Sequence, residues 1–159
     1  MRFATDNTVG KLGRYLRSAG FDTLCQHQSR DRDFFDTIDG ERIILTRTTL
    51  LMCRLERRPL VFIRANDPLQ QMKQVVRALN LAWGEVHPFS RCLACNDVIH
   101  QVDREAVTGR VPAYVWQQHH TFHTCGRCGR VYWAGSHHDR MRKRLAAIFQ
   151  QKDEKTHDY

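Results

Sequence analysis

Residues 60–79 read LVFIRANDPLQQMKQVVRAL and place a buried strand directly before an amphipathic helix. The apolar run at residues 60–63 predicts a strand covered on both faces, as in a parallel sheet. Asp67 is the expected N-cap and Pro68 the first helical residue, because a carboxylate accepts from free amides there and proline has no amide to satisfy. Apolar residues then recur every three or four positions up to Leu79, which predicts one buried helix face.

The same alternation of strand and helix precedes this stretch. Residues 2–5 and the β-branched run 43–45 are predicted strands, and residues 9–19 are a predicted helix because their apolar side chains recur at helical spacing. A further helix is predicted at residues 50–55. Strands that alternate with helices are typical of a parallel sheet covered by helices on both faces. We therefore predict an α/β fold, with a small three-layer domain over residues 1–87.

Composition and charge narrow the class of protein. The chain has 159 residues, of which 42% are hydrophobic and 26% charged, so it can bury a core and is not a disordered chain. The net charge of +8 favours a polyanionic partner such as RNA, although a charge that merely aids solubility would look the same. No apolar run is long enough to span a bilayer, and no signal-peptide pattern is visible. We expect a cytoplasmic protein with no membrane partner.

Four of the six cysteines form two C-x-x-C pairs, namely Cys92 with Cys95 and Cys125 with Cys128. The two-residue gap lets both thiolates of a pair face one point, and two such pairs supply the tetrahedral set that structural zinc prefers. A redox dithiol or a chance pairing is the alternative. We predict a zinc ribbon over residues 88–139, followed by a basic helix and a polar tail over residues 140–159.

The remaining cysteines and the nearby histidines are assigned no metal. Cys25 and Cys53 are expected to be small buried apolar side chains. Because four thiolates already close a structural zinc site, the histidines near the ribbon are expected to be polar surface groups or RNA contacts. They are His119, His120, His123, His137 and His138.

Acidic and hydroxyl side chains follow the predicted strands at the points where these strands end. Asp6 follows the first strand, Thr48 the strand at residues 43–45, and Asp67 the strand at residues 60–63. Because the carboxyl ends of parallel strands meet at one edge of a sheet, we expect these three side chains to converge. A further acidic cluster lies between the first two of these strands and comprises Asp31, Asp33, Asp36 and Asp39.

Clustered carboxylates at strand ends suit Mg²⁺ or Mn²⁺, which prefer oxygen ligands and can activate a water for phosphodiester cleavage. Helix capping by Asp6 and Asp67, and a solvated surface at residues 31–39, explain the same residues without a metal. Both interpretations stay open at this point.

The first predicted helix carries a basic stripe close to Asp6. Lys11, Arg14 and Arg17 are expected on the face opposite its apolar residues. A phosphate backbone could lie along this stripe, and an ordinary solvated helix face is the alternative.

Asp6 and four longer segments, in order along the chain, carry a resemblance to a known family. The segments are VGKLGRYLRSAGFDT at residues 9–23, RIILTR at 42–47, RCLACN at 91–96 and CGRCGRVYWAGSH at 125–137. Up to about Met141, the chain resembles the mut-seven C-terminal RNase domain family, a PIN-like nuclease domain followed by a zinc ribbon.

The resemblance implies a PIN-like fold and a metal-dependent ribonuclease that hydrolyses RNA phosphodiester bonds. Carried over, Asp6 is the first Mg²⁺ or Mn²⁺ ligand and Asp67 a later one, while an acid among Asp31, Asp33 and Asp36 supplies the second position. Asp6, Asp67 and Asp33 are the expected catalytic residues, with Asp31 a further candidate metal ligand. RNA contacts are expected from Lys11, Arg14, Arg17 and Arg47.

The chain departs from this family at Thr48, where members usually carry an aspartate after Leu-Thr-Arg. Threonine can cap the following helix but brings no negative charge, so the loss of one carboxylate weakens binding of a divalent cation. Three functions remain open. They are a ribonuclease weakened at this position, an RNA-binding module with impaired catalysis, and an adaptor whose zinc ribbon docks another protein.

Overall fold

A computed structural model describes residues 1–26 and 33–150 of the chain. Asp31, a candidate metal ligand, lies outside the described residues. None of the helices in the described part combines the length and the apolar character needed to cross a membrane.

A parallel sheet forms the centre of the first half of the chain, as predicted, and it contains a fourth strand, at residues 22–25, that the sequence did not indicate. Its strands are β1 (Arg2–Thr5), β2 (Asp22–Cys25), β3 (Ile43–Thr46) and β4 (Leu60–Phe62). They lie in the order β2-β1-β3-β4, with Phe3 of β1 opposite Thr23 on one side and Ile43 on the other. The order reverses between β1 and β3, and ligands of open α/β sheets bind beyond the carboxyl ends of strands at such a switch point.

Six α-helices are described. They are α1 (Gly10–Ser18), α2 (Phe34–Thr37), α3 (Thr49–Arg54), α4 (Pro68–Ala78), α5 (Ala113–Gln118) and α6 (Ser136–Gln150). A short 3₁₀ turn, Asn7–Val9, joins β1 to α1.

Helices cover both faces of the sheet, which confirms the α/β fold with a central parallel sheet. Neighbouring residues of β1 point to opposite faces, since side chains alternate along a strand. Phe3 packs into the larger core with α1 and α4, where Leu16 and Met72 are buried. Ala4 packs into the smaller core on the other face with Phe34 and Phe35.

Helix α6 returns from the ribbon to the larger core. Leu145, Ile148 and Phe149 are buried there, and the Phe149 ring meets the Trp83 ring edge-on with 5.7 Å between centroids. These residues have the spacing of one helix face. The basic charge of residues 140–144 obscures that pattern, so the sequence predicted a basic helix here but not its packing against the larger core.

The cysteine-containing region folds around an antiparallel three-stranded sheet. Its strands are β5 (Ile99–Val102), β6 (Phe122–Cys125) and β7 (Val131–Trp133), in that order. Helix α5 and a 3₁₀ turn, Arg104–Val107, fill the long connection from β5 to β6. Val107, Val115 and Phe122 bury a small core beneath them.

The two cysteines outside the pairs differ in exposure. Cys25 is buried at the end of β2, as expected. The expectation that Cys53 is buried is wrong, because this residue lies on an exposed face of the short helix α3.

Candidate functional site

Asp6 lies at the switch point of the sheet, where the chain leaves β1. Its amide donates to the carbonyl of Leu45 at 3.4 Å, which holds it against the end of β3. Asp6 is 4% exposed, and the residues that follow it, Asn7 and Thr8, line an open pocket. Strand β3 brings the second group of polar residues, Thr46 to Thr48, to the same place because it is the neighbour of β1.

Four donors satisfy the Asp6 carboxylate. Oδ1 accepts from the amide of Thr8 at 2.9 Å and from its hydroxyl at 2.5 Å. Oδ2 accepts from the hydroxyls of Thr46 at 2.5 Å and Thr48 at 3.0 Å. An ionised carboxylate has about four acceptor positions, so the Asp6 carboxylate is saturated. Asp6 and Thr48 therefore converge as the sequence predicted, with threonine acting as a donor to the acid.

Asp67 is the N-cap of α4, as predicted. Its Oδ1 accepts from the amides of Leu69 at 2.9 Å and Gln70 at 3.1 Å. The side chain is exposed and turned to its own helix, whereas the neighbouring Asn66 and Pro68 line the pocket beside Asp6.

The described acids of the segment that precedes β3 are spread over the surface. Asp33 is exposed just before α2, and Asp36 forms an ion pair with Arg54 of α3. Asp39 pairs with Arg2 at 2.5 Å, at the start of β1 and so at the strand end remote from Asp6. Within residues 1–26 and 33–150, the four paired cysteines are the one group of three or more possible metal ligands that lie together. As they stand, the described acids do not form a Mg²⁺ site.

A basic pocket of about 460 Å³ opens beside Asp6. Lys11 and Arg14 reach it from α1, and Arg47 reaches it from the end of β3. The Arg47 guanidinium donates to the side-chain oxygen of Asn66. The backbone amide of Arg47 donates to the Thr8 hydroxyl at 3.3 Å. None of the described lining residues is acidic, so the pocket suits an anion such as a phosphate group.

The expected RNA contact at Arg17 is wrong, because this side chain is fully buried. Its Nε donates to the carbonyl of Thr23 at 2.8 Å. Its Nη1 donates to the carbonyls of Leu93 at 3.1 Å and Ala94 at 2.8 Å, inside the first C-x-x-C turn. Arg17 thus joins α1 to β2 and to the ribbon.

Further hydrogen bonds fix the first C-x-x-C turn on the α/β domain. The Asn96 side chain accepts from the Thr23 amide at 2.8 Å and donates to Asp22 at 2.7 Å. Arg42 holds the same Asp22 carboxylate at 2.9 and 3.1 Å. Burial raises the pKa of Asp22, but the bonds from Arg42 and Asn96 outweigh it and lower the pKa below its usual value.

The four cysteine sulfurs form a compact cluster that can hold a metal ion such as zinc. All four lie within 4.8 Å of one another, with Cys92 and Cys128 at 3.5 Å and Cys95 and Cys125 at 3.3 Å. Tetrahedral zinc with Zn–S bonds near 2.3 Å requires about 3.8 Å between sulfurs, so the cluster fits the ion with a small expansion.

The two C-x-x-C turns share one backbone geometry. Asn96 and Gly129 each have a φ of 71°, and each amide donates to the carbonyl of the first cysteine of its pair at 2.9 Å. Asparagine and glycine tolerate this left-handed conformation better than other residues do.

Tyr132 on β7 supports the metal cluster. Its hydroxyl lies 3.0 Å from the Cys92 sulfur and accepts from the Leu93 amide at 3.2 Å. Burial alone raises the pKa of Cys92, but bonds from Tyr132 and from the amides of Cys95 and Ala94 lower it to about 6. Burial raises the pKa of Cys95 to about 12, so the cluster ionises at Cys92 before Cys95. Sequence reasoning missed the role of Tyr132 and assigned Arg17 to RNA, because the partners of both residues are distant in the chain.

A comparison with protein families gives a match that covers both the α/β domain and the cysteine-containing region. The family model described as the Mut7-C RNAse domain matches residues 1–145, which include Asp6, the basic pocket and all four paired cysteines. No curated protein and no solved structure matches the chain. Since the family model spans most of the sequence, the chain belongs to the Mut7-C RNAse domain family.

Proposed function

We propose that the chain binds RNA in the pocket beside Asp6 and hydrolyses its phosphodiester bonds, weakly and with a divalent cation. One observation carries the proposal. A buried carboxylate, Asp6, adjoins a pocket lined by Lys11, Arg14 and Arg47 at the switch point of the sheet. Membership of an RNase domain family supports RNA as the substrate.

The basic residues suit an RNA backbone. Arg47 presents a planar guanidinium, which can hold two phosphate oxygens at once, while Lys11 supplies a mobile point charge. Arg14 lies one turn after Lys11 on α1 and is exposed. Together they can hold one phosphate close to the Asp6 carboxylate while the adjoining nucleotides stay outside.

The proposed cation is Mn²⁺ or Mg²⁺, with Asp6, Asp67, Asp33 and the undescribed Asp31 as candidate ligands. When bound, such an ion supplies positive charge to the phosphate and lowers the pKa of a water. It would have to displace threonine hydroxyls from Asp6, whose acceptor positions are filled. We therefore expect weak cleavage that needs a high cation concentration.

A nuclease assay with Asp6→Asn as control tests the proposal. Cleavage of single-stranded RNA should appear in millimolar Mn²⁺, be weaker in Mg²⁺, and vanish in Asp6→Asn. Because chelators can also remove structural zinc, zinc content should be measured in the chelator-treated sample. Cleavage that persists in Asp6→Asn would contradict the assignment of this site.

A second function, RNA binding without cleavage, is favoured by the saturated Asp6 carboxylate and by Thr48. In that case no cation supports cleavage, yet binding persists in Asp6→Asn. Phosphate contacts can be tested with the double variant Lys11→Ala/Arg47→Ala. Its affinity for single-stranded RNA should fall, and the slope of log affinity against log salt should decrease by about 1.4, or about 0.7 per lost contact. The exposed pair Arg57→Ala/Arg77→Ala removes the same charge elsewhere and is the matched control.

We infer that the ion held by Cys92, Cys95, Cys125 and Cys128 is zinc with a structural role. Four thiolates leave no open position for a substrate. Elemental analysis of the purified protein should give one zinc per chain.

A further inference from the structure

A second pocket of about 460 Å³ lies on the ribbon, away from Asp6. Its floor includes His123 of β6 and Tyr132 of β7, which face each other across the two strands. Phe89, from the segment that enters the ribbon, and His138, at the start of α6, line the pocket together. The pocket therefore joins three separate parts of the chain.

Aromatic rings dominate this pocket. The rings of Phe89 and His138 lie with centroids 3.9 Å apart and planes tilted by 34°, so they form a partial stack. Trp133 also lines the pocket. The Tyr132 hydroxyl forms a hydrogen bond with the Cys92 sulfur. That engagement holds the Tyr132 ring in a fixed position.

Phe89 is held in a backbone conformation that is unfavourable for its residue type. Its φ is 59°, in the left-handed region that a bulky side chain rarely adopts. Its amide donates to the carbonyl of Ser18 at 2.9 Å, so the end of α1 fixes this conformation. Strained residues that are held by their surroundings cluster at binding sites.

Polar groups at the pocket suit the edge of a base. His123 and His137 bring imidazole nitrogens, and Thr121 brings a hydroxyl. None of the described lining residues is acidic. The segments that supply the walls also carry exposed Arg130 and Arg140, which complement the charge of a nucleic-acid backbone.

We propose that this pocket binds one unpaired nucleobase of single-stranded RNA. The inference rests on the proposal that RNA is the ligand of the chain, but it concerns a different site and does not require cleavage. Flat aromatic faces stack on a base whatever its identity, while imidazole and hydroxyl groups bond to its edge. Bases in a duplex are already stacked and paired, so the pocket selects single strands.

Phe89→Asn tests the stack with little risk to the fold. Asparagine tolerates the left-handed conformation better than phenylalanine, so the backbone is preserved while the ring is lost. His123→Ala provides a second variant that leaves this segment unchanged. Tyr114→Ala, which removes a 63% exposed ring on α5, is the matched control. Zinc content and melting temperature establish that each variant is folded.

Binding is measured without divalent cations, using three RNAs of about ten nucleotides. They are a single strand, the same strand with abasic positions, and a duplex. Both pocket variants should bind the intact single strand at least about fivefold more weakly than wild type, and should bind the abasic strand and the duplex unchanged.

Equal loss of affinity for intact and abasic strands would overturn the proposal, as would no loss at all. A wild-type protein that binds abasic and intact strands equally would overturn it too. Lys11→Ala/Arg47→Ala should weaken binding of all three RNAs, because that pocket contacts phosphates. Base-dependent binding without any cleavage would reject the ribonuclease function while leaving this site intact.

Discussion

Thr48 supplies one of the hydrogen bonds that satisfy the buried carboxylate of Asp6. Its hydroxyl donates to Asp6 at 3.0 Å, and its amide donates to the Thr46 hydroxyl at 2.9 Å. An aspartate at this position could donate only when protonated, so the site would need a cation or a proton between the two acids. In this chain, hydroxyl and amide donors satisfy the Asp6 carboxylate without a cation.

Thr48→Asp should make the protein depend on a divalent cation. Two carboxylates at hydrogen-bond distance raise the pKa of the new group, so the folded state binds more protons than the unfolded chain. Its stability should therefore fall as pH rises above about 4, the usual value for aspartate. Millimolar Mn²⁺ should restore the melting temperature and increase cleavage.

Thr48→Asn is the matched control, since it has the same shape as aspartate without the charge. It should show neither the pH-dependent loss nor the recovery with Mn²⁺. If Mn²⁺ leaves the melting temperature of Thr48→Asp unchanged, Asp6 and position 48 do not form a metal site.

Tyr132→Phe should weaken zinc binding while preserving the fold of the ribbon. The variant loses the hydroxyl bond to Cys92, so the pKa of Cys92 rises and more protons must leave when zinc binds. Loss of such a supporting bond typically lowers metal affinity by about 10- to 100-fold. Competition with a zinc chelator measures the difference in zinc affinity from wild type, and this difference should grow as pH falls. Tyr114→Phe is the control, and equal affinities would contradict a role for Tyr132.

At the scale of elements, helix α1 shows what the sequence could predict. Its apolar spacing correctly predicted a helix with one buried face, because that pattern is local. Side chains three residues apart on a helix differ in direction by about 60°. Lys11 and Arg17 are six residues apart, so their side chains differ by about 120°. The ribbon covers the face of Arg17, and this contact between residues about 75 positions apart leaves no local pattern.

Other elements also differ in how far a local sequence pattern predicts them. The strand β4 and the helix α4 carry complete local patterns and were predicted. Strand β2, with the sequence Asp-Thr-Leu-Cys, is half polar and becomes a strand by pairing with β1. The position of Asp6 at the carboxyl edge of the sheet and its proximity to Thr48 followed from the predicted parallel strands, whereas its bonds to Thr8 and Thr46 depend on side-chain geometry.

Arg17→Met should loosen the attachment of the ribbon. It leaves the carbonyls of Thr23, Leu93 and Ala94 without their donor, which should cost about 2–4 kcal/mol of unfolding free energy. Arg14→Met, one turn earlier and exposed, should change it by less than about 0.5 kcal/mol. Denaturant unfolding gives both values. Limited proteolysis should cleave Arg17→Met faster near residues 87–92, and equal cleavage of the two variants would contradict the role of Arg17.

At the scale of the whole molecule, α1 connects the two proposed RNA sites. Its first turns supply Lys11 and Arg14 to the basic pocket, while its carboxyl end holds the ribbon through Arg17 and Phe89 through Ser18. The helix has nine residues, which corresponds to about 13 Å. A rigid helix of this length fixes the position of the aromatic pocket relative to the phosphate pocket.

Loss of zinc should therefore affect more than the ribbon. Cys125→Ser removes one of four ligands, so amide protection should be lost over residues 92–133. Arg17 and Asn96 then lose their arrangement against β2, so protection of Asp22–Cys25 should fall as well. Strand β3 and helix α4 should keep theirs, because their core does not include ribbon residues.

Hydrogen exchange read by mass spectrometry separates these regions, and Cys53→Ser is the control because this exposed cysteine lies outside the cluster. Helix α6 is the most informative element, since it follows the ribbon in sequence but packs on the α/β core through Leu145 and Phe149. It should remain protected in Cys125→Ser. Unchanged exchange in β2 would show that the two halves fold independently, and loss of α6 would show that the ribbon is needed to dock it.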